Sequence, residues 1–420
     1  MRIFLIASSP PLQGHSIRAA TVLVREALLA LREQGHEVVL QLILGREHAP
    51  VSPDDLDAMA WARHQGFGDQ PILREKSLRP PRRLGLVRDA LTASIADLYP
   101  SVTLRDYVRR QVDRTHSDAV FNLWSTPGLA ASSTAEAPVF TYYGNPDHKP
   151  LQARLRHSEL FDISTRRLSD RVRLRLLMAT NERRRQANAE LMRMSHWLGC
   201  VTAVDVPYWQ SEGHANAFYL QNMWPASHDS PVGQDWREDD DRIVGSLGGL
   251  YATGNTFGLA YLGREIVPAL ERRIGSRFRV HVYGAGQPTS AAAGAIGRST
   301  IVRRGFVDDI DAEIRAAKVF LIANSNHPDF VGGHTRVLHA WSVGACVIGH
   351  ERLGEAMPEI RHGENALLGH DADDIAAHVE RTLRDSELRR RLAVAGRRTL
   401  QEYFTPQIVM RKVVEVIRAR

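Results

Sequence analysis

Asn324-Ser-Asn-His-Pro-Asp-Phe-Val-Gly-Gly-His-Thr-Arg-Val-Leu-His339-Ala-Trp-Ser-Val-Gly-Ala-Cys-Val-Ile348 is the stretch that decides the fold. The apolar run Val319 to Ala323 leads into it as a short buried strand. A polar loop with paired glycines at Gly332 and Gly333 follows. The chain then turns into a helix with Val337, Leu338 and Trp341 on its apolar side. Gly344 stops that helix, and Ala345 to Ile348 is the next strand. A strand, a glycine-bearing loop and a helix N-terminus make an anion cradle, because free N–H groups and the positive helix end face the same point. Arg336, in the first helical turn, adds a planar fork suited to a diphosphate.

Around this stretch the chain reads as two strand-helix series. Its 420 residues exceed one ordinary core and suit two domains. Arg2 to Ala7 is a buried first strand, about Ile17 to Gln34 a helix, and His36 to Leu44 a second strand. A strand-loop-helix-strand unit of this length is right-handed and parallel. The loop after its first strand lies where such sheets bind ligands, which brings in Gly14 and His15. The reading is weaker from Arg46 to about Asp118, with a mostly helical stretch from Leu84 to Arg110. Ala119 to Trp124, Pro138 to Tyr143, Trp197 to Val204 and Phe218 to Gln221 read as strands. The second of these runs into Gly144-Asn-Pro-Asp-His148, polar residues at a strand's carboxyl end.

The second series begins after a polar break near Trp224 to Trp236. It holds strand Arg242 to Ser246 with Gly248 and Gly249, helix Phe257 to Ile274, and strand Phe278 to Tyr283. Strand Thr300 to Arg303, Gly305-Phe-Val-Asp-Asp309 and helix Ile310 to Ala317 then lead into the opening stretch. Asp373 to Asp385 and Glu387 to Tyr403 are helices, and Thr405 caps a last helix with Pro406 in its first position. The expected domains are residues 1–225, 226–405 and a terminal helix at 406–420 that crosses back to the first domain.

The net charge of +6 is concentrated. From Lys149 to Ser195 twelve Lys or Arg stand against five Asp or Glu, a local +7 that points to an anionic partner or to a solvated helical face. Few aromatics interleave with these charges, which argues against nucleic acid. The two cysteines, Cys200 and Cys346, have no pairing or metal spacing, and no stretch approaches a membrane span. A cytoplasmic protein is expected, peripheral on the inner membrane face if the Lys149 to Arg193 segment meets anionic lipid.

The order of parts resembles the GT-B glycosyltransferases, specifically the retaining group called family 4. The resemblance is carried by Gln221-Asn-Met-Trp224, Val302-Arg-Arg-Gly-Phe-Val-Asp-Asp309, Thr335-Arg-Val-Leu-His-Ala-Trp-Ser-Val-Gly344 and Ile360-Arg-His-Gly-Glu-Asn-Ala-Leu-Leu368. It covers the C-terminal half nearly throughout and the N-terminal half at its strands and loops. It implies an α/β chain of two Rossmann-like domains facing each other across a cleft. The activity implied is sugar transfer from a nucleotide-sugar, a co-substrate rather than a cofactor, to a glycan or lipid-linked acceptor, with retention and without metal. The chain departs from the family where a glutamate pair is usual: Val331 and His339 occupy those positions, with Asp329 the nearby carboxylate. The usual Arg-Lys pair is replaced by Thr256 and Phe257.

The donor residues expected on this basis are Gly248, Gly249, Arg304, Phe306, Val307, Gly332, Gly333, His334, Thr335, Arg336 and His339. Phe306 and Val307 would meet the base edge through backbone groups, and His339 the ribose hydroxyls as a neutral donor and acceptor. Asp147, His148, His15 and Asp329 are the candidate catalytic residues, and Gly14 and Asn145 the candidate acceptor contacts. Two other readings stand beside this one. A non-catalytic GT-B binding subunit draws on the missing glutamates. A dinucleotide-dependent oxidoreductase draws on Gly284-Ala-Gly286, a fragment of its glycine pattern with no acidic ribose residue at the right spacing.

Overall fold

The structure is a computed structural model. It describes residues 1–11, 19–44, 53–68, 70–74, 102–132, 135–143, 146, 148–226, 231–233, 235–237, 239–325, 327 and 334–419. The chain divides into two compact units: Met1–His148 with Arg171–Asn222 and Pro406–Arg420, and Lys149–Asp170 with Met223–Thr405. The chain passes from one to the other within the Gln221 to Trp224 stretch.

The first unit is built on strands β1 (Arg2–Ala7), β2 (Glu37–Leu44), β3 (Leu73–Arg74), β4 (Ala119–Leu123), β5 (Val139–Tyr143), β6 (Trp197–Cys200) and β7 (Ala217–Tyr219). They lie in the order β3-β2-β1-β4-β5-β6-β7, every pair parallel. Ile3 to Ala7 are fully buried, as expected of a central parallel strand covered on both faces. The strand order reverses at β1, which pairs with β2 on one side and β4 on the other. The terminal helix Pro406–Arg418 belongs to this unit. It buries Val409, Met410, Val413, Val414 and Ile417, and Gln34 Nε2 donates to the Gln407 carbonyl at 2.9 Å.

The second unit carries β8 (Arg242–Ser246), β9 (Arg279–Tyr283), β10 (Ile301–Gly305), β11 (Val319–Ile322), β12 (Val347–His350) and β13 (Leu367–Gly369). Their order is β10-β9-β8-β11-β12-β13, again parallel throughout. Ile243, Val280, Val282, Leu321 and Ile348 form the centre of its core. At ~1.5–3 kcal/mol for each fully buried aliphatic side chain, these strands hold the helices to the sheet. The order reverses between β8 and β11, and open parallel sheets bind ligands outside the carboxyl ends of the strands at such a point. Both Gly248 and the opening stretch follow these two strands.

Several element boundaries differ from expectation for local reasons. The helix expected from Phe257 starts at Thr253 and is interrupted by one wider turn, Leu262–Ile266, before Val267–Ile274. Gly263 sits in that turn against the Ala295 carbonyl, where a Cβ would stand 2.1 Å from the oxygen. The basic segment forms two helices, His148–Arg156 and Leu168–Met192. The segment between them is tied to the second unit: Phe161 meets Phe257 edge-on at 5.2 Å, and Ser290 N–H donates to Asp162 Oδ2 at 2.8 Å. Two of the helices not read from the sequence, Pro53–His64 and Thr126–Ser132, carry a weakly segregated apolar face or are very short.

Candidate functional site

The site is assembled from the loops that leave β8, β9 and β10 and from the helix that follows β11. After Ser246 the chain runs through Leu247 and Gly248, whose φ of 103° is open to glycine but not to most side chains. The loop after β9 presses directly on it: a Cβ on Gly284 would stand 1.8 Å from the Gly248 carbonyl oxygen. Leu250 N–H donates to the Ala285 carbonyl at 3.0 Å, and Gly284 N–H to the Gly305 carbonyl at 2.8 Å. Three successive loop ends are thereby locked together at the carboxyl edge of the sheet.

The helix Thr253–Tyr261 aims its N-terminus at the same loop, and Ala252 N–H donates to the Gly249 carbonyl at 3.0 Å. Asn255, in its first turn, donates from Nδ2 to the carbonyls of Gly249 (2.8 Å) and Leu247 (3.4 Å). Gly258 lets this helix approach the end of β11, since a Cβ there would stand only 3.1 Å from Asn324 N.

Arg336 comes from the helix His334–Ser342. That helix is seated by Trp341, fully buried, whose indole lies where a Cβ on Gly396 would be 2.3 Å away. Gly344, at φ 77°, ends it, with Gly344 N–H donating to the Trp341 carbonyl at 3.0 Å and Ala345 N–H to the Ala340 carbonyl at 2.8 Å. So mounted, Arg336 reaches the β8 loop: a Cβ on Gly248 would stand 3.6 Å from its Nη2 and 3.7 Å from Asn255 Nδ2. Ser246, Leu247, Asn255, Asn324 and Arg336 line one small cavity. Burial lowers the Arg336 pKa to about 10, which leaves it charged at neutral pH. It is half-buried and has no carboxylate partner among the described residues, which suits a cation completed by an anion.

One turn further on, His339 Nε2 lies 2.5 Å from Asp311 Oδ1, and its ring packs 5.1 Å from that of Trp224. Asp311 stands in the first turn of helix Ile310–Ala316, which Asp309 caps by accepting from Ala312 N–H at 2.9 Å. His339 is thus held by a carboxylate that the sequence reading had not connected to it.

The remaining expected residues fall into three groups. Gly249 lies in the β8 loop beside Tyr251, whose exposed ring would be 3.3 Å from a Cβ at that position. Phe306, 57% exposed, and the half-buried Val307 follow β10 at the same edge of the sheet, and Thr335 is half-buried beside Arg336. Arg304 is exposed on β10, and its charge reaches His281 and Tyr283 on the neighbouring strand β9. His334 opens its helix through the backbone. In the first unit His148 is buried, its ring 5.4 Å from that of Tyr208 and its carbonyl accepting from Asn181 Nδ2 at 3.1 Å. Gly14, His15, Asn145, Asp147, Asp329, Gly332 and Gly333 lie outside the described residues. Asn255, Asp311 and Trp224 were missed by the sequence reading. The available signals were an asparagine in the first turn after a Gly-Gly loop and a third acidic residue after the Gly-Phe-Val turn.

Residues 241–385 match the family model described as glycosyl transferases group 1. No curated protein matches the chain by sequence. Among solved structures, sucrose-phosphate synthase from Thermosynechococcus elongatus aligns with a TM-score of 0.63 at 14% identity, over 100% of this chain and 98% of that one. HepE from Anabaena, in complex with UDP and glucose, aligns with a TM-score of 0.61 at 12% identity over 100% of both chains. A TarM variant from S. aureus, in complex with fondaparinux, alpha-GlcNAc-glycerol and UDP, aligns with a TM-score of 0.60 at 8% identity over 99% of both. The two parallel sheets with flanking helices are the two Rossmann-like domains of that architecture. Residues 241–385 therefore carry the glycosyl transferases group 1 domain, and the chain is a glycosyltransferase of the GT-B fold.

Proposed function

We propose that this protein transfers a sugar from a nucleotide-sugar donor to a glycan or lipid-linked acceptor, in the synthesis of a cell-surface polysaccharide or glycoconjugate. The observation that carries the donor assignment is Arg336: a half-buried guanidinium, charged at neutral pH, beside the Gly248 main chain and without a described carboxylate partner. A nucleoside diphosphate leaves with growing negative charge. A fixed cation and a helix N-terminus meet that charge without reorganising, which favours the transition state over the ground state. On this reading Asp311, oriented by His339, takes the ribose hydroxyls that the family's glutamate would take, and the Phe306-Val307 backbone meets the base edge. Retention and a metal-free leaving group are proposed from the family resemblance alone. HepE and the TarM variant were solved with UDP, so UDP and its sugars are the first donors to try.

The glycosyl transferases group 1 match over residues 241–385 favours transfer over the non-catalytic binding reading. The test is thermal shift across nucleotides and nucleotide sugars, followed by release of the nucleoside diphosphate on addition of an acceptor panel. Stabilisation grows as Kd falls at fixed ligand concentration. Binding of a nucleotide sugar with no release under any acceptor would return the non-catalytic reading.

For the acceptor side we propose contact with an anionic lipid surface through helix Leu168–Met192. Arg171, Arg173 and Arg175 are exposed there beside the exposed apolar side chains Val172 and Met178. Basic side chains with interleaved apolar ones suit a headgroup region. Reversing the three charges should abolish sedimentation with anionic vesicles, and unchanged sedimentation would reject the docking.

A further inference from the structure

Asn255 is 1% exposed, and its amide has a single workable orientation. Nδ2 faces the carbonyls of both Leu247 and Gly249. Turned over, the amide would set Oδ1 against two carbonyl oxygens. The orientation it holds leaves Oδ1 buried without a donor among the described residues. A buried unpaired acceptor is unfavourable, so the two bonds made by Nδ2 are what keep it in place.

The bond to the Leu247 carbonyl fixes the peptide plane before Gly248, and the bond to the Gly249 carbonyl fixes the plane after Gly249. In a trans peptide the N–H points opposite to the carbonyl. With the Leu247 carbonyl turned to Asn255, the Gly248 N–H is turned away from it. Neither Gly248 N–H nor Gly249 N–H finds an acceptor among the described residues, whereas the next one, on Leu250, is used by Ala285. Arg336 Nη2 and Asn255 Nδ2 both lie within 4 Å of the point where a Gly248 Cβ would stand.

We infer that Asn255 is a positioning residue for the diphosphate. It holds the Leu247 and Gly249 carbonyls on its own side, so that the Gly248 amide remains free to join Arg336 on the anion. The inference rests on the reading of Arg336 and Gly248 as a diphosphate site. It adds a device that the sequence pattern of glycines and basic residues does not contain.

The test compares a nucleoside diphosphate with its nucleoside, using UDP with uridine and GDP with guanosine, in the wild-type chain and in Asn255→Ala. The wild type should bind one diphosphate at least ten-fold more tightly than its nucleoside. Asn255→Ala should lose most of that advantage while nucleoside affinity stays within two-fold. Asn255→Ser, which keeps one donor at the position, should fall between them and serves if the alanine variant does not fold. A retained advantage in a folded variant would overturn the role of Asn255 alone. A parallel loss of nucleoside affinity would also overturn it, by showing a general structural effect. A wild type with no diphosphate advantage for either base would overturn the site reading and the inference with it.

Discussion

His339 Nε2 and Asp311 Oδ1 stand 2.5 Å apart, joining the helix after β11 to the helix after β10. The pair supplies a carboxylate at the point where His339 had replaced one. If Asp311 takes the ribose hydroxyls, Asp311→Ala should weaken UDP or GDP binding about ten-fold, the scale of one charge-assisted hydrogen bond. It should also erase the preference for the ribonucleotide over its 2′-deoxy form. Calorimetry with both forms checks this, and a preference that survives the substitution would remove Asp311 from the ribose.

Among the described glycines, Gly284 has the least room for a side chain. Its φ is 141°, and a Cβ would meet the Gly248 carbonyl carbon at 2.7 Å and its oxygen closer still. Gly284→Ala should therefore cost several kcal/mol of stability or displace the β8 loop, since both strain and overpacking act on it. Gly35→Ala, at the left-handed end of a helix, is the control, with φ 78° and nothing within 4 Å. Only the backbone term, about 1–2 kcal/mol, applies there. Equal melting temperatures for the two variants would contradict the close approach.

Five histidines, His36, His214, His281, His350 and His378, have their pKa lowered below 6.5 chiefly by burial. A lowered folded-state pKa means the unfolded chain binds protons first as pH falls through 6.5. Stability is therefore highest above that point and declines on acidification. The exposed His370 is shifted the other way by hydrogen bonding to Glu351 and does not cancel four buried rings and the half-buried His378. Melting temperature should fall between pH 7 and pH 5, and a rise over that interval would contradict the assigned burial.

Much of the second unit was legible because its strands are continuous apolar runs punctuated by glycines. Val319 to Ile322, the Gly344 stop and Arg336 in a first turn could all be read from spacing alone. What spacing could not supply was which polar side chain turns toward which loop. Asn255 acts on carbonyls six and eight residues before it, and Asp311 meets His339 across 28 residues. His148 looked like a polar residue at a strand end, yet Tyr208 and Asn181 enclose it. Both of those partners lie far along the chain.

The central claim is that Arg336 is the cation of a diphosphate site, and the most direct measurement is calorimetric binding of UDP and GDP to the wild type and to Arg336→Gln. The wild type should bind one of them, and the substitution should weaken it by about 100-fold, as loss of a buried charge pair implies, while the matching nucleoside is held as before. Undiminished diphosphate binding by a folded Arg336→Gln protein would contradict the account.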